Sequence, residues 1–278
     1  MATTMQRPLS FVPRLVRRYG ALAAMTPKFF LAYSIWVWMQ WAVQAMAMTI
    51  TVYFWRAVYG EQTVIAGLSQ AQTLNYTLLA LVFSPLAFNT SFIYWFGHLL
   101  KEGQIAIELL RPLDFQGGQY VSRVAELVMD LVMQTPLLIL AVVVFGVRLP
   151  TDPLTWAVFV VSALIGHAVL FFFDWTVACL SFYTTENWGL SVVRYGIGLF
   201  ASGMLVPLAL MPDWLRGVLL ALPFAQSLYV PLAFLTGITP LAEAPRLWAL
   251  QLLALAVLIV VSRAVFSVAI RRVTVQGG

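Results

Sequence analysis

The side chains able to do chemistry in this chain are few enough to take one by one. Cys179 is the single cysteine, and His98 and His167 are the only histidines. An intrachain disulfide, a cysteine metal cluster and a histidine-rich metal site are therefore excluded. The sequence has no phosphate loop ending in Gly-Lys-Ser/Thr, no His-Glu-x-x-His and no Gly-x-Ser-x-Gly. The common devices for nucleotide binding, zinc hydrolysis and serine hydrolysis are thus missing. Two places remain. Asp174 lies inside the apolar run 164–180, where an ionised carboxylate costs about 2.5–3.5 kcal/mol on insertion scales. Such a residue faces a bundle interior or a wet cavity. It is read as part of a substrate path, as a coupling-ion site, or as a structural hydrogen bond between helices. The second place is Gly97–Arg123, GHLLKEGQIAIELLRPLDFQGGQYVSR, which carries Lys101, Glu102, Glu108, Arg111, Asp114 and Arg123 between two long apolar segments.

The surroundings of these residues are lipid-like. Hydrophobic residues make up 62% of the 278, charged residues only 10%, and mean hydropathy is +0.89. A soluble domain carries about 25% charged residues. Spans, not soluble domains, are the unit to count. The net charge of +5 belongs to juxtamembrane arginines that contact anionic lipid, not to a nucleic-acid surface. Trp55, Trp95, Trp156, Trp188, Trp214 and Trp248 fall near predicted span ends, as an interfacial belt requires.

The pattern predicts an all-α polytopic membrane protein with six transmembrane helices in one transmembrane domain, 1–278. Residues 10–28 read as a helix lying on the membrane. Phe11, Leu15, Tyr19 and Leu22 share one arc, and Arg14, Arg17 and Arg18 share the opposite one. The first apolar run is longer than a signal-peptide core, so it is expected to stay as an anchor. Spans are expected at about 29–55, 73–96, 124–147, 154–183, 190–210 and 246–270. Pro85 should kink or break the second. Within 97–123, Pro112 disfavours helix at Arg111, and Gly117-Gly118 reads as a hinge before span three. Glu126 and Asp130 at the entry of that span are expected to pair with Arg123 or Arg194. Residues 212–237 differ from the rest. Pro207, Pro212, Pro223 and Pro231 cut an apolar segment into pieces too short to span a bilayer. A re-entrant outer helix pair is the natural reading.

Six spans put both termini on one side. That side receives Arg7, Arg14, Arg17, Arg18, Lys28, Lys101, Arg111, Arg123, Arg194, Arg263, Arg271 and Arg272, and the other receives Arg56, Arg148, Arg216 and Arg246. The positive-inside rule then places the termini and the 97–123 loop in the cytoplasm.

Three features together resemble the permease subunits of type-2 ATP-binding-cassette (ABC) transporters. They are the basic amphipathic helix, the charged loop between spans two and three, and the proline-broken pair before span six. The loop motif is Gly103-Gln-Ile-Ala-Ile-Glu-Leu109-Leu110-Arg111-Pro112-Leu113-Asp114. The outer segment matches through Pro207-Leu208, Pro212-x-Trp214-Leu215, Leu222-Pro223-Phe224, Tyr229-x-Pro231 and Gly237. The resemblance implies a permease in the bacterial inner membrane that dimerises with an identical or sister chain. It implies no cofactor in this chain, since a separate ATPase subunit would bind ATP and Mg. Lys101, Glu102, Glu108, Arg111 and Asp114 would then be ATPase-coupling residues of a short coupling helix. Pro207, Pro212, Trp214, Pro223, Tyr229 and Pro231 would form an outer gate, with export the common direction. Two other classes stay open on the residues alone. They are an intramembrane lipid-modifying enzyme seeded by Asp174, and a channel.

Overall fold

The structure, a computed structural model, describes residues 34–88, 91–112, 114–184 and 187–272. The basic segment 10–28, with Arg14, Arg17 and Arg18, lies outside the described residues, as does Leu113.

Helix α1 (Ser34–Tyr59) leads into a small antiparallel hairpin, β1 (Val64–Ile65) and β2 (Leu68–Ser69). Its two-residue turn needs left-handed backbone at both centres, which Ala66 (φ 46°) and Gly67 (φ 84°) supply. Helix α2 (Gln70–Val82) starts on a capping box. Ser69 Oγ accepts from the Gln72 N–H at 3.2 Å, and the Gln72 side chain accepts from the Ser69 N–H at 3.0 Å. It stops where Pro85 enters a 3-10 turn, Ser84–Leu86. Proline there lacks an N–H and crowds the preceding turn. Helix α3 (Ser91–Lys101) and the short α4 (Ile105–Leu109) follow.

Helix α5 (Phe115–Met133) runs into α6 (Thr135–Val143) through Gln134, whose N–H still bonds the Asp130 carbonyl at 3.0 Å. Helix α7 (Pro153–Ala178) is nucleated by Asp152. Its carboxylate accepts from the Leu154 and Thr155 N–H groups at 3.1 and 3.2 Å, and Pro153 occupies the first turn. Then come α8 (Asn187–Ala201), α9 (Asp213–Leu220), α10 (Pro223–Ser227), α11 (Tyr229–Leu235) and α12 (Ala244–Ala269).

Among the described residues, Ile35–Tyr59, Phe115–Val143, Pro153–Phe182 and Leu241–Ala269 are long and apolar enough to cross a membrane. The pieces Asp213–Leu220 and Pro223–Leu235, bent by 75°, would make a fifth span if counted as one. The chain is an all-α polytopic membrane protein.

The spans are not equivalent. The apolar window of Pro153–Phe182 is 56% buried, against 11% for Ile35–Tyr59 and for Leu241–Ala269. Helix α7 is therefore the central post, with α10, α11 and α12 packed on it. Gly166 explains the closest approach. A Cβ there would sit 2.1 Å from the Gln226 carbonyl oxygen, so only glycine lets α10 touch α7. A buried amide ties the same place together. Gln251 Nε2 donates to the Gln226 carbonyl at 2.9 Å, and the Ser162 hydroxyl donates to Gln251 Oε1 at 3.1 Å.

Two buried clusters surround this post. One holds Tyr76, Leu79, Phe83, Phe159, Leu208, Phe224 and Leu232. The other is aromatic, with Trp175 fully buried among Phe92, Phe96, Phe115 and Phe171. Trp175 meets the Phe96 and Phe115 rings edge-on at 5.5 and 5.4 Å, the geometry the ring quadrupoles favour.

Two boundaries change from the sequence reading. Helix α3 continues to Lys101 and α5 already starts at Phe115, so residues 102–114, not 97–123, separate the long helices. Gly117 and Gly118 are not a hinge. They lie in the first turn of α5, because the Asp114 cap holds the Gly117 N–H at 2.6 Å and helical bonding follows at once.

Candidate functional site

The charged segment between α3 and α5 is an exposed ledge. Lys101 closes α3, where a cation suits the negative end of the helix dipole. Lys101 and Glu102 are exposed. Gly103 adopts φ +66° and reverses the chain. In α4 the single buried side chain is Ile105, which roots the helix in the aromatic cluster. Ile107, Leu109 and Leu110 point outward instead, with Leu110 84% exposed. Glu108 pairs with Arg111 at 2.9 Å. The ledge thus offers an apolar strip edged by charge.

Asp114 ends the ledge and fastens it. Besides capping α5, its carboxylate accepts from both terminal nitrogens of Arg263 on α12, Nη2 at 2.6 Å. The Arg263 hydrogen bond holds the Asp114 carboxyl below the ordinary aspartate range, and the Gly117 N–H adds to this. The start of α5 and the far end of α12 therefore meet at one face. At the opposite face, Asn75 holds the backbone of Arg148 by bonds of 2.7 and 3.0 Å.

Asp174 is buried and paired. Arg194 Nε and Nη2 donate to its two oxygens at 2.9 and 2.7 Å. Arg194 Nη1 donates to the Ala87 carbonyl at 2.8 Å, and its guanidinium lies 5.2 Å from the centre of the Phe224 ring. One arginine from α8 thereby joins α7, the break after α2, and α10. Both Asp174 carboxylate oxygens are engaged by Arg194, the arrangement of a joint between helices. Arg194 was expected at a membrane face with Glu126 or Asp130. It is 3% exposed and engaged with Asp174. Its signal was present in the sequence as an arginine inside an apolar span. Glu126 instead pairs with Arg123 at 2.5 Å, as expected, and the Arg123 guanidinium also lies over the Phe92 and Trp95 rings. His167 is buried beside Tyr120, and neither of its ring nitrogens has a hydrogen-bond partner among the described residues.

The prolines of the outer segment do not share one role. Pro207 precedes a 3-10 turn, Leu208–Leu210. Pro212 stands at the N-cap of α9, and Asp213 is the first helical residue and pairs with Arg216. Pro223 opens α10, and Pro231 fits the first turn of α11, where no N–H is needed. Trp214 is 72% exposed, whereas Tyr229 is buried against the Tyr76 ring at 5.8 Å. The sequence grouped these residues, and the structure separates an exposed end at Trp214 from a buried one at Tyr229.

Among the described residues no cluster of histidine, cysteine or carboxylate side chains could hold a metal ion. Long apolar helices packed around a central post, with one charged ledge, define a polytopic membrane protein. A family model described as ABC-2 family transporter protein matches residues 44–277, and the chain belongs to that family. Comparison with curated proteins and with solved structures gives no match.

Proposed function

We propose that the chain is the transmembrane permease subunit of an ABC transporter and that it exports its substrate across the bacterial inner membrane. In this reading a separate ATPase subunit binds ATP and Mg and hydrolyses the nucleotide. A second permease, identical or a sister chain, completes the pathway. The exposed faces of α1 and α12 suit lipid or that partner. Six spans follow if α2 and α3 form a span broken at Pro85 and α8 forms the fifth. Both termini and the ledge then face the cytoplasm, where the positive-inside rule puts the arginines.

The observation that carries the reading is the ledge itself. An exposed charged segment, Lys101–Asp114, is rooted by Ile105 and tied by Asp114 to both α5 and α12. A push on α4 would reach two long helices together through that clamp. Lys101, Glu102, Glu108 and Arg111 are the ATPase contacts in this scheme, and Asp114 is the transmitter. The interfacial segment with Arg14, Arg17 and Arg18 would dock beside them. The segment from Pro207 through Pro212, Trp214, Pro223, Tyr229 and Pro231 would gate the exit.

The test is purification of the tagged chain from its native membranes, followed by ATP hydrolysis assays on the complex and on the chain alone. Co-purification of a subunit bearing a Gly-Lys-Ser/Thr phosphate loop, with hydrolysis only by the complex, is the expected result. Chemical turnover of a lipid by the isolated chain without ATP would overturn it.

A further inference from the structure

The break after α2 opens a cavity of about 200 Å³ against α1 and the junction of α5 with α6. Its polar wall is made of Gln40, Ser84, Asp130 and Gln134, and its aromatic wall of Trp41 and Phe88. Asp130 lies near the middle of the apolar span Phe115–Val143. It was expected to pair with Arg123 or Arg194. Arg194 bonds Asp174 and Arg123 bonds Glu126; Arg123 also attracts Asp130 across a longer gap, so Glu126 and Asp130 share one guanidinium. Gln134 is 5% exposed. Its Nε2 donates to Gln44 Oε1 at 3.3 Å, but its own Oε1 is buried with no donor. Trp41 is fixed by its indole N–H, which donates to the Met133 carbonyl at 2.9 Å, so its ring faces the cavity without a free donor.

The lining thus sets one carboxylate among neutral amide and hydroxyl groups and two aromatic rings. A carboxylate in lipid depth without a counter-ion of its own is costly and calls for a cation, and broken backbone at that depth is tolerated where it lines a cavity. A bare metal ion is a poor occupant. Hard cations need about six or more oxygen ligands, and an indole supplies none. A substituted ammonium suits every part. Its charge meets Asp130, and its alkyl groups meet the Trp41 and Phe88 faces. We propose that this cavity is a binding site for an organic ammonium group of the transported molecule. The description of that molecule as substrate rests on the permease reading; the binding itself does not.

Binding to the chain alone, in nanodiscs and without any ATPase, separates the two. Radiolabelled tetraethylammonium is the probe, with 3,3-dimethylbutanol as a neutral competitor of similar bulk. Saturable binding by the wild type is expected, insensitive to the neutral competitor. Asp130→Asn should weaken it by about 30-fold or more, the loss expected when one member of a desolvated charge pair is neutralised. Asp130→Glu should keep most of it, and Glu61→Gln, which removes a charge from the exposed loop after α1, should leave it unchanged. Unaltered elution of Asp130→Asn on size exclusion guards against misfolding. Nanodiscs of phosphatidylglycerol and of phosphatidylcholine distinguish a solute from a lipid headgroup as the natural source. If choline headgroups occupy the site, the ratio of wild-type to Asp130→Asn affinity shrinks in the second. No saturable binding by the wild type, equal binding by Asp130→Asn, or displacement by sodium with no effect of further ammonium ions would overturn the assignment. Each of those failures leaves ATP-driven transport to be judged by its own experiment.

Discussion

Two aspartates of this chain are each held by two nitrogens of an arginine guanidinium, and they do different work. Asp174–Arg194 is almost wholly out of solvent, with side-chain exposures of 5% and 2%. Asp114–Arg263 is about half exposed, at 46% and 49%. Burial decides the consequence. Breaking a buried pair strands an uncompensated charge, which costs about 3–5 kcal/mol, whereas an exposed pair in water contributes about 0–1 kcal/mol. The inner pair is a fixed joint between α7, α8 and the broken segment after α2. The outer pair is weak enough to be made and released, yet it sits where the ledge meets two long helices.

The largest effects should come from the inner pair. Asp174→Ala or Arg194→Ala should lower stability by about 3–5 kcal/mol, read as loss of folded protein in a detergent thermal-stability assay. The double replacement Asp174→Leu with Arg194→Met should be less harmful than either single change, because no lone charge is left. Equal damage from the double and the singles would mean that the bond to the Ala87 carbonyl, not the charge pair, is what matters. Next in size is Gly166→Ala. The added Cβ meets backbone, not a flexible side chain, so α10 must move off α7 at about 1–3 kcal/mol, seen as a lower melting temperature.

The outer pair should answer more weakly in stability and more strongly in function. Asp114→Asn should shift stability by about 1 kcal/mol or less while lowering substrate-dependent ATP turnover of the complex. Its pH dependence has a definite sign. The native Asp114 carboxyl titrates below its unfolded value, so its stabilising contribution is complete above about pH 4. It is lost as the pH falls through the lowered native value. An acid titration of stability should show this component in the wild type and lack it in Asp114→Asn. Smallest of all is Arg111→Ala. It removes a surface pair one helical turn apart, exposed on the Arg111 side and worth about 0.2–0.5 kcal/mol, and a melting curve that moves by several degrees would contradict this.

Much of the architecture was legible in the sequence because lipid leaves a strong mark. Apolar length located α1, α7 and α12, and Pro85 announced the break. What stayed hidden depended on pairing across distant positions. Asp174 was visible as an intramembrane charge, but its partner Arg194 could be told from a topology-setting arginine only by depth. Gly117-Gly118 suggested flexibility, yet a helix cap at Asp114 outweighed the glycine penalty of about 1 kcal/mol per residue. Asp130 was assigned to a salt bridge by proximity in sequence, while Glu126, one turn nearer, took Arg123. The site residues of the ledge were legible as a group. The clamp from Asp114 to Arg263, 149 positions away, was not.

The central claim is that the ledge Lys101–Asp114 is where an ATPase subunit docks. Exchanging Glu108 and Arg111, by Glu108→Arg with Arg111→Glu, keeps their own ion pair and reverses the charge order offered to a partner. The measurement is the amount of ATPase subunit retained by the tagged permease, normalised to wild type at matched folded yield. Loss of most of the subunit, with ATP turnover falling in step, is the predicted result. Full retention with unchanged turnover would show that the ATPase docks elsewhere.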